Sequence, residues 1–171
     1  EKRYELQYNG DTAEDHGVLL YEYPEFVGGK KNYNTYTIPG RDGQLVEQED
    51  YRDNLTISCT FSILSKQFMP RIRDLKKWLS KMGRLTLSDT EDTFYKVLKI
   101  EHGQIERELR DYGKFSVTFI CHPYEYLKSG QYPVTSLVYN PYDLCKPAYM
   151  ITGSGACTLT VNGKTIQANV G

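Results

Sequence analysis

The chain has 171 residues, of which 39% are hydrophobic and 25% are charged, a balance that is typical of folded globular proteins and excludes intrinsic disorder. Its net charge is −1, whereas a dedicated nucleic-acid binder is usually clearly basic because phosphate neutralisation drives the affinity. No apolar run approaches the roughly 20 residues of a membrane-spanning helix, so membrane insertion is not expected. Fifteen tyrosines favour half-buried sheet surfaces and a large protein interface.

Two successive turns are predicted at residues 37–45, TIPGRDGQL. Proline followed by glycine is the signature of a type II turn, which places that turn at residues 38–41, and the Asp-Gly pair after it is a second turn signal. We call the five central residues the hook: Pro39, Gly40, Arg41, Asp42 and Gly43. Such a rigid reversal with one charge of each sign suits a phosphate-binding loop or an element that fixes a subunit contact.

A half-buried strand is predicted at residues 53–63, DNLTISCTFSI, where apolar and polar residues alternate strictly. The polar positions are nearly all serine or threonine, which suits a face turned toward water or toward a neighbouring subunit. Further strand patterns follow at residues 84–89 and 93–100.

An amphipathic helix is predicted over about 69–82, because apolar residues recur there at spacings of four and three. The apolar stripe consists of Phe68, Ile72, Leu75, Leu79 and Met82. Pro70 suits the first turn of this helix and Gly83 suits its C-terminal cap.

A charged residue, Arg107, falls on an otherwise apolar strand face. The hydrophobic pattern favours a hairpin with a three-residue loop at 111–113, which sets Ile105 opposite Phe119 and Arg107 opposite Val117. A buried guanidinium without a partner would be very costly. We therefore expect either that the face ends at a sheet edge, where the guanidinium reaches water, or that a carboxylate meets it.

The C-terminal part of the chain has a different texture. Residues 131–147 are rich in glycine, proline, serine, tyrosine and asparagine, which predicts a linker. Beyond it, Asn162-Gly163 between two alternating segments predicts a β-hairpin. Because 148–171 is much shorter than the roughly 40 residues of the smallest unaided domains, this segment is either the start of a larger β domain or an arm that docks elsewhere.

Chemical motifs are weak throughout, so neither catalysis, nor a cofactor, nor a metal site is expected. His16 lies among acidic residues in GDTAEDHG, where a surface loop is a better interpretation than a cation site. His122 follows Cys121 directly, so in a strand the two side chains point to opposite faces and cannot act as base and nucleophile. The cysteines lack the C-x-x-C spacing and are interpreted as free thiols in a reducing compartment. VGGKKN lacks the spacing of a Walker loop.

The order of segments points to a known family. An N-terminal strand ends in YNG and is followed by GVLL, PGRDG, LTISCTFSI, LKKWLSKMGRLTLSD and GKFSVTFICHPYEY. This order, over residues 4 to 128, resembles the N-terminal domain of the distal tail proteins of siphophages that infect Gram-positive bacteria. None of these segments is a catalytic motif, so the resemblance implies a structural protein rather than an enzyme.

The resemblance implies a mainly β fold with one α-helix. Residues 1–130 would form a β-sandwich or split-barrel domain, and 148–171 would be the opening hairpin of a galectin-like β-sandwich that is truncated, disordered or divergent. Six copies would form a ring hub at the distal end of the tail tube, in the virion, after assembly in the cytoplasm of the bacterial host. The hub would join the tube protein to tail-tip and receptor-binding or side-fibre proteins, and its channel would pass DNA without binding it specifically.

Two alternatives stay open at this stage. The protein is either such a hub or a carbohydrate-binding β-sandwich module, and the assembly state separates the two. Within the hub hypothesis, the hook and Arg107 are candidate assembly contacts, with Asp42 as one candidate partner of Arg107. The simpler interpretation of the hook is that it only reverses the chain.

Overall fold

The computed structural model describes residues 4–129, 133, 137, 139–142 and 145–170. The chain divides into two compact units, Glu1–Gly130 and Gln131–Gly171. The strands of the first unit are β1 (Leu6–Tyr8), β2 (Asp11–Thr12), β3 (Leu19–Leu20), β4 (Glu25–Gly28), β5 (Lys31–Thr37), β6 (Gln44–Arg52), β7 (Leu55–Leu64), β8 (Arg84–Leu87), β9 (Thr93–Arg107) and β10 (Tyr112–Leu127). Its helix, α1, is Phe68–Trp78.

Eight of these strands form one antiparallel sheet in the order β2-β1-β8-β9-β10-β7-β3, with β4 also paired to β7. The predicted strand at 53–63 is confirmed as β7. Ile57, Phe61 and Ile63 on one face are fully buried, and the serine and threonine residues between them are only partly buried. β7 therefore has one face on the core and one face with small hydroxyl side chains.

The core lies between the apolar face of this sheet and α1, which packs on β7 and β10. Ile72 and Leu75 of the helix are buried in the same core cluster as Phe115 and Phe119 of β10. Trp78 at the end of the helix donates a hydrogen bond from Nε1 to a backbone carbonyl of β1 at 3.3 Å. The expected fold class, mainly β with one α-helix, is confirmed.

The predicted extent of the helix, about 69–82, is wrong at its C-terminal end. α1 ends at Trp78, and Met82 is 73% exposed. Gly83 is not a helix cap: a Cβ at this position would lie 1.8 Å from Oδ1 of Asn9. That oxygen accepts a hydrogen bond from the backbone N–H of Arg84 at 2.9 Å. Glycine is therefore required here by the close approach of Asn9.

The predicted register of the β9–β10 hairpin is also wrong. Ile105 pairs with Phe115 and Arg107 pairs with Gly113, so each partner lies four residues earlier on β10 than predicted. A shift by four residues leaves every side chain on its own face, because side chains alternate with a period of two. The hydrophobic pattern alone therefore cannot distinguish the two registers.

The second unit contains β11 (Gly155–Val161) and β12 (Lys164–Val170), which form a separate two-stranded sheet. Asn162 and Gly163 have φ values of 49° and 77°, as a two-residue turn of the hairpin type requires. The predicted turn and hairpin are confirmed. Part of the predicted linker, 131–147, lies outside the described residues.

Candidate assembly surface

The hook lies at the tip of the two-stranded sheet that β5 and β6 form. The backbone N–H of Arg41 donates to the carbonyl of Ile38 at 3.2 Å, and Gly40 has a φ of 81°. This is the predicted type II turn, which needs a residue with positive φ at its third position. Gly43 also has a positive φ, of 79°. Both glycines therefore hold conformations that side-chain-bearing residues rarely adopt.

We call residues 31–52, which comprise β5, the hook and β6, the arm. In the arm Tyr36 pairs with Leu45 and Thr35 pairs with Val46. Large apolar side chains are exposed along it: Tyr33, Tyr36, Leu45, Val46 and Tyr51. An isolated two-stranded hairpin is at best marginally stable in water. The length of the arm and its exposed apolar side chains therefore suit a hairpin that is covered by another chain.

The root of the arm is firmly attached to the main sheet. Gly28 at the end of β4 has a φ of 100°, and a Cβ there would lie 2.4 Å from the backbone oxygen of Asn54. Arg52 donates from Nη1 to the carbonyl of Gly29 at 3.0 Å. Asn32 donates from Nδ2 to Oδ1 of Asp53 at 3.0 Å. These contacts define the direction in which the arm leaves the sheet.

A free sheet edge lies along the second half of β9. β8 pairs with β9 only at Tyr95 and Lys96, and a further backbone bond reaches Val97. From Leu98 to Arg107, β9 is paired with β10 on one side and with no strand of the described residues on the other. We call residues 98–107 the free edge. All its residues from position 101 onward are exposed.

Arg107 lies at the end of the free edge and is exposed, so the expected edge position of this guanidinium is correct. Its guanidinium carbon lies 5.3 Å from the ring centre of Phe68, and its Nε donates to the carbonyl of Arg110 at 3.1 Å. The predicted position opposite Val117 is wrong, as the register shows. Within the described part of one chain, Asp42 forms no ion pair with Arg107.

Arginine and lysine give the side of the free edge that faces α1 a positive charge, beside the ring of His102. His102 stacks on Phe115, with ring centres 5.8 Å apart. Partial desolvation of the ring lowers the pKa of His102, and the charge of Lys76 on α1 adds to that shift. Arg73 is also exposed and lies one helical turn before Lys76, so it shares that side of the helix. We call Arg73, Lys76, His102 and Arg107 the basic flank.

His16, which the sequence places among acidic residues, makes packing contacts. His16 stacks on Trp78 with ring centres 4.3 Å apart, and its Nε2 lies 3.7 Å from Oδ2 of Asp11. No group of three or more histidine, cysteine, aspartate or glutamate side chains in the described residues is arranged to hold a metal ion. The stack on Trp78 attaches the loop at His16 to the end of α1.

All four cysteines are free thiols, as predicted. Burial raises the pKa of both Cys59 and Cys121 to about 12, so these thiols are protonated at neutral pH. His122 makes a 2.8 Å contact from Nδ1 to the hydroxyl of Tyr126 and does not pair with Cys121. A thiolate nucleophile is therefore not formed by this pair.

Two concave sites in the described residues are small. A cleft beside β1 and β3 has a volume of about 140 Å³, and one near Gly17 and Leu64 has a volume of about 250 Å³. Both are below the roughly 300 Å³ at which ligand pockets begin. No helix of the described residues is long and apolar enough to span a membrane.

An antiparallel sheet with one helix, an exposed arm and a free edge defines a β-rich structural domain. Residues 19–121 match the family model of the phage tail protein RIFT-related domain. The chain belongs to this family of siphophage tail proteins, and the predicted family is confirmed.

The fold is also similar to that of a solved structure. The crystal structure of the SPP1 Dit (gp 19.1) protein, described as a paradigm of the hub adsorption apparatus in phages that infect Gram-positive bacteria, superposes with a TM-score of 0.56 at 18% identity. The match covers 74% of this chain and 53% of the Dit chain, so it spans about half of that protein. At this identity the similarity concerns the fold. No curated protein sequence matches the chain.

Proposed function

We propose that the protein is a distal tail protein, six copies of which form a ring hub at the end of the phage tail tube. Membership of the phage tail family and the Dit-like fold support this role. The observation that carries it is the arm, which exposes Tyr36, Leu45 and Val46 without a covering layer from the described part of the first unit. A head-to-tail contact that repeats around a closed ring covers every arm and leaves a central channel.

The hub would join the tail tube protein to a tail-tip protein and to receptor-binding or side-fibre proteins. It would be assembled in the cytoplasm of the bacterial host and remain in the virion. The hairpin of β11 and β12 would open a galectin-like second domain. Cys157 pairs with Ala168 and Leu159 pairs with Ile166, which gives this hairpin one apolar face that further strands would cover.

We propose that the outer face of the main sheet lines the channel of this ring. Thr60 pairs with Ser116, and Ser58 pairs with Thr118, all on the face opposite the core. We call these four residues the hydroxyl face. Small neutral side chains neutralise no phosphates, so a channel lined by them lets DNA pass without strong binding.

Native mass spectrometry of the purified protein tests the proposed ring. We expect a species of six times the 19.7 kDa chain mass, formed alone or with the tail tube protein. A chain that stays monomeric under all conditions, including with neighbouring tail proteins, would overturn the hub. A monomer or dimer that binds glycans would support the carbohydrate-binding alternative instead.

A further inference from the structure

We propose that the free edge receives the arm of a neighbouring copy by strand addition, with the acidic face of that arm packed on the basic flank. This inference rests on the proposed ring and identifies the two surfaces that form each contact in it. It assigns a docking role to residues 98–107, which the chemistry of the sequence did not single out.

The first argument is backbone pairing. A free edge presents unpaired N–H and C=O groups, and an added strand is the usual way to satisfy them. The arm and the free edge belong to different sheets, and among the described residues β5 and β6 pair only with each other. β6 has nine residues, which is close to the length of the free edge, 98–107. A strand of the arm can therefore pair along the whole edge.

The second argument is charge. β6 carries Glu47 and Glu49 two residues apart and therefore on one face, and these carboxylates give the arm its acidic face. On the basic flank, Arg73, Lys76 and Arg107 carry the positive charge, and Lys76 is close enough to His102 for its charge to lower the pKa of that ring. The acidic residues of β9 do not compensate this side: Glu101 pairs with Lys99 at 2.6 Å on the opposite face. Complementary charges across an interface favour the correct partner and register.

The third argument is the apolar surface beside these charges. On the arm, Tyr36 and Leu45 lie on the same face as Glu47, which contacts the Tyr36 hydroxyl at 3.4 Å. On the receiving side, Ile105 of the free edge is 38% exposed and Met69 of α1 is 47% exposed. Met69 lies two helical turns before Lys76 and so shares the same side of α1. Apolar contacts would thus be ringed by charged pairs, as in stable protein interfaces.

Charge reversal in two separate variants tests the contact. Glu47→Lys with Glu49→Lys reverses the arm, and Arg73→Glu with Lys76→Glu reverses the flank. We expect each variant alone to lose ring formation by about tenfold or more. A one-to-one mixture should recover rings in which the two variants alternate, since every contact then joins opposite charges. The reversal Lys81→Glu with Lys128→Glu, at two exposed positions outside the flank and outside α1, is the matched control and should leave ring formation unchanged.

Cross-linking identifies the contact directly. In a background that carries Cys145→Ser and Cys157→Ser, Val46→Cys is combined with Gln104→Cys, and oxidation should link neighbouring copies into a ladder up to the ring. Val46→Cys with Leu64→Cys, on the exposed end of β7, is the control that should give no ladder. Suppose that the unmodified protein forms rings, that the first cysteine pair gives no cross-link, and that the mixture of charge-reversed variants recovers no rings. This combination would overturn the proposed contact while the hub stands. Absence of rings from the unmodified protein would overturn the hub itself.

Discussion

Gly113 lies directly against the ring of Phe68: a Cβ at position 113 would be 2.7 Å from two ring atoms and 2.3 Å from the backbone oxygen of Glu106. The start of β10 is thereby packed under the start of α1, at the point where Arg107 covers the same ring from outside. The β9–β10 hairpin, the start of α1 and one end of the free edge are therefore packed together around the ring of Phe68.

We expect Gly113→Ala to destabilise the monomer by about 1 to 3 kcal/mol, because the methyl group has no space and the neighbouring backbone cannot yield easily. Chemical unfolding of the monomer measures this loss. The control is Leu109→Ala in the same hairpin, which is 69% exposed and should change the stability by less than about 0.5 kcal/mol. Equal stabilities for the two variants would contradict the packing described here.

The hook can be tested by separating assembly from folding. Asp42→Ala should lower the ring fraction by about tenfold, while the melting of the monomer stays nearly unchanged, because Asp42 is exposed. Gly43→Val should weaken both, since φ is 79° at this position. Glu22→Ala is the matched carboxylate control. Intact rings in the Asp42 variant would leave the hook as a chain reversal and nothing more.

Thiol reactivity should divide the cysteines into two groups. The pKa of Cys59 and of Cys121 is raised from 9.0 to about 12, so both are protonated and unreactive toward a disulfide reagent at pH 8. Cys145 is exposed and should react rapidly in the native protein. Time courses with and without denaturant count the protected thiols. Rapid modification of all cysteines in the native state would contradict the burial of this pair.

The same pKa shifts predict a pH dependence of stability. A raised pKa means that the folded protein favours the protonated thiol. The contribution of Cys59 to the free energy of unfolding is therefore complete below pH 9 and decreases as the pH rises toward 12. We expect the melting temperature to fall across this window. Cys59→Val should reduce the part of the slope that comes from this group, whereas the exposed-site variant Cys145→Ser should leave the slope unchanged.

The hydroxyl face predicts weak DNA binding. Rings of the unmodified protein should show negligible affinity for free duplex DNA at physiological salt. Thr60→Lys with Thr118→Lys should introduce salt-dependent binding, because each new lysine can neutralise a phosphate. The uncharged pair Thr60→Gln with Thr118→Gln is the control. Sub-micromolar binding by the unmodified ring would contradict a neutral channel lining.

Local signals in the sequence were sufficient for several elements. Strict alternation predicts β7, and the Pro-Gly and Asn-Gly pairs predict their turns, because each depends on backbone preferences within a few residues. The end of α1 is not predictable in this way, since Met82 continues the apolar spacing although it is exposed. The role of Gly83 is also not visible locally, because the glycine is required by the close approach of Asn9, a residue distant in sequence.

The candidate assembly surface could likewise be predicted from the sequence only in part. The conformation of the hook follows from its own residues, but the exposure of the arm depends on which strands pair elsewhere. Arg107 could be recognised as an anomalous charge, whereas its partner on β10 could not, because a shift of four residues preserves both faces. The free edge has no sequence signal, since it arises where β8 ends beside a longer β9.

In a ring closed by arms, the contact between Gly28 and Asn54 has a geometric consequence. The angle at which an arm leaves its sheet sets the rotation from one subunit to the next, and that rotation determines how many subunits complete a circle. The diameter of the channel is then determined at the junction of β4 and β5, at the root of the arm rather than along its docking surface. Changes at this junction would alter ring size rather than binding strength.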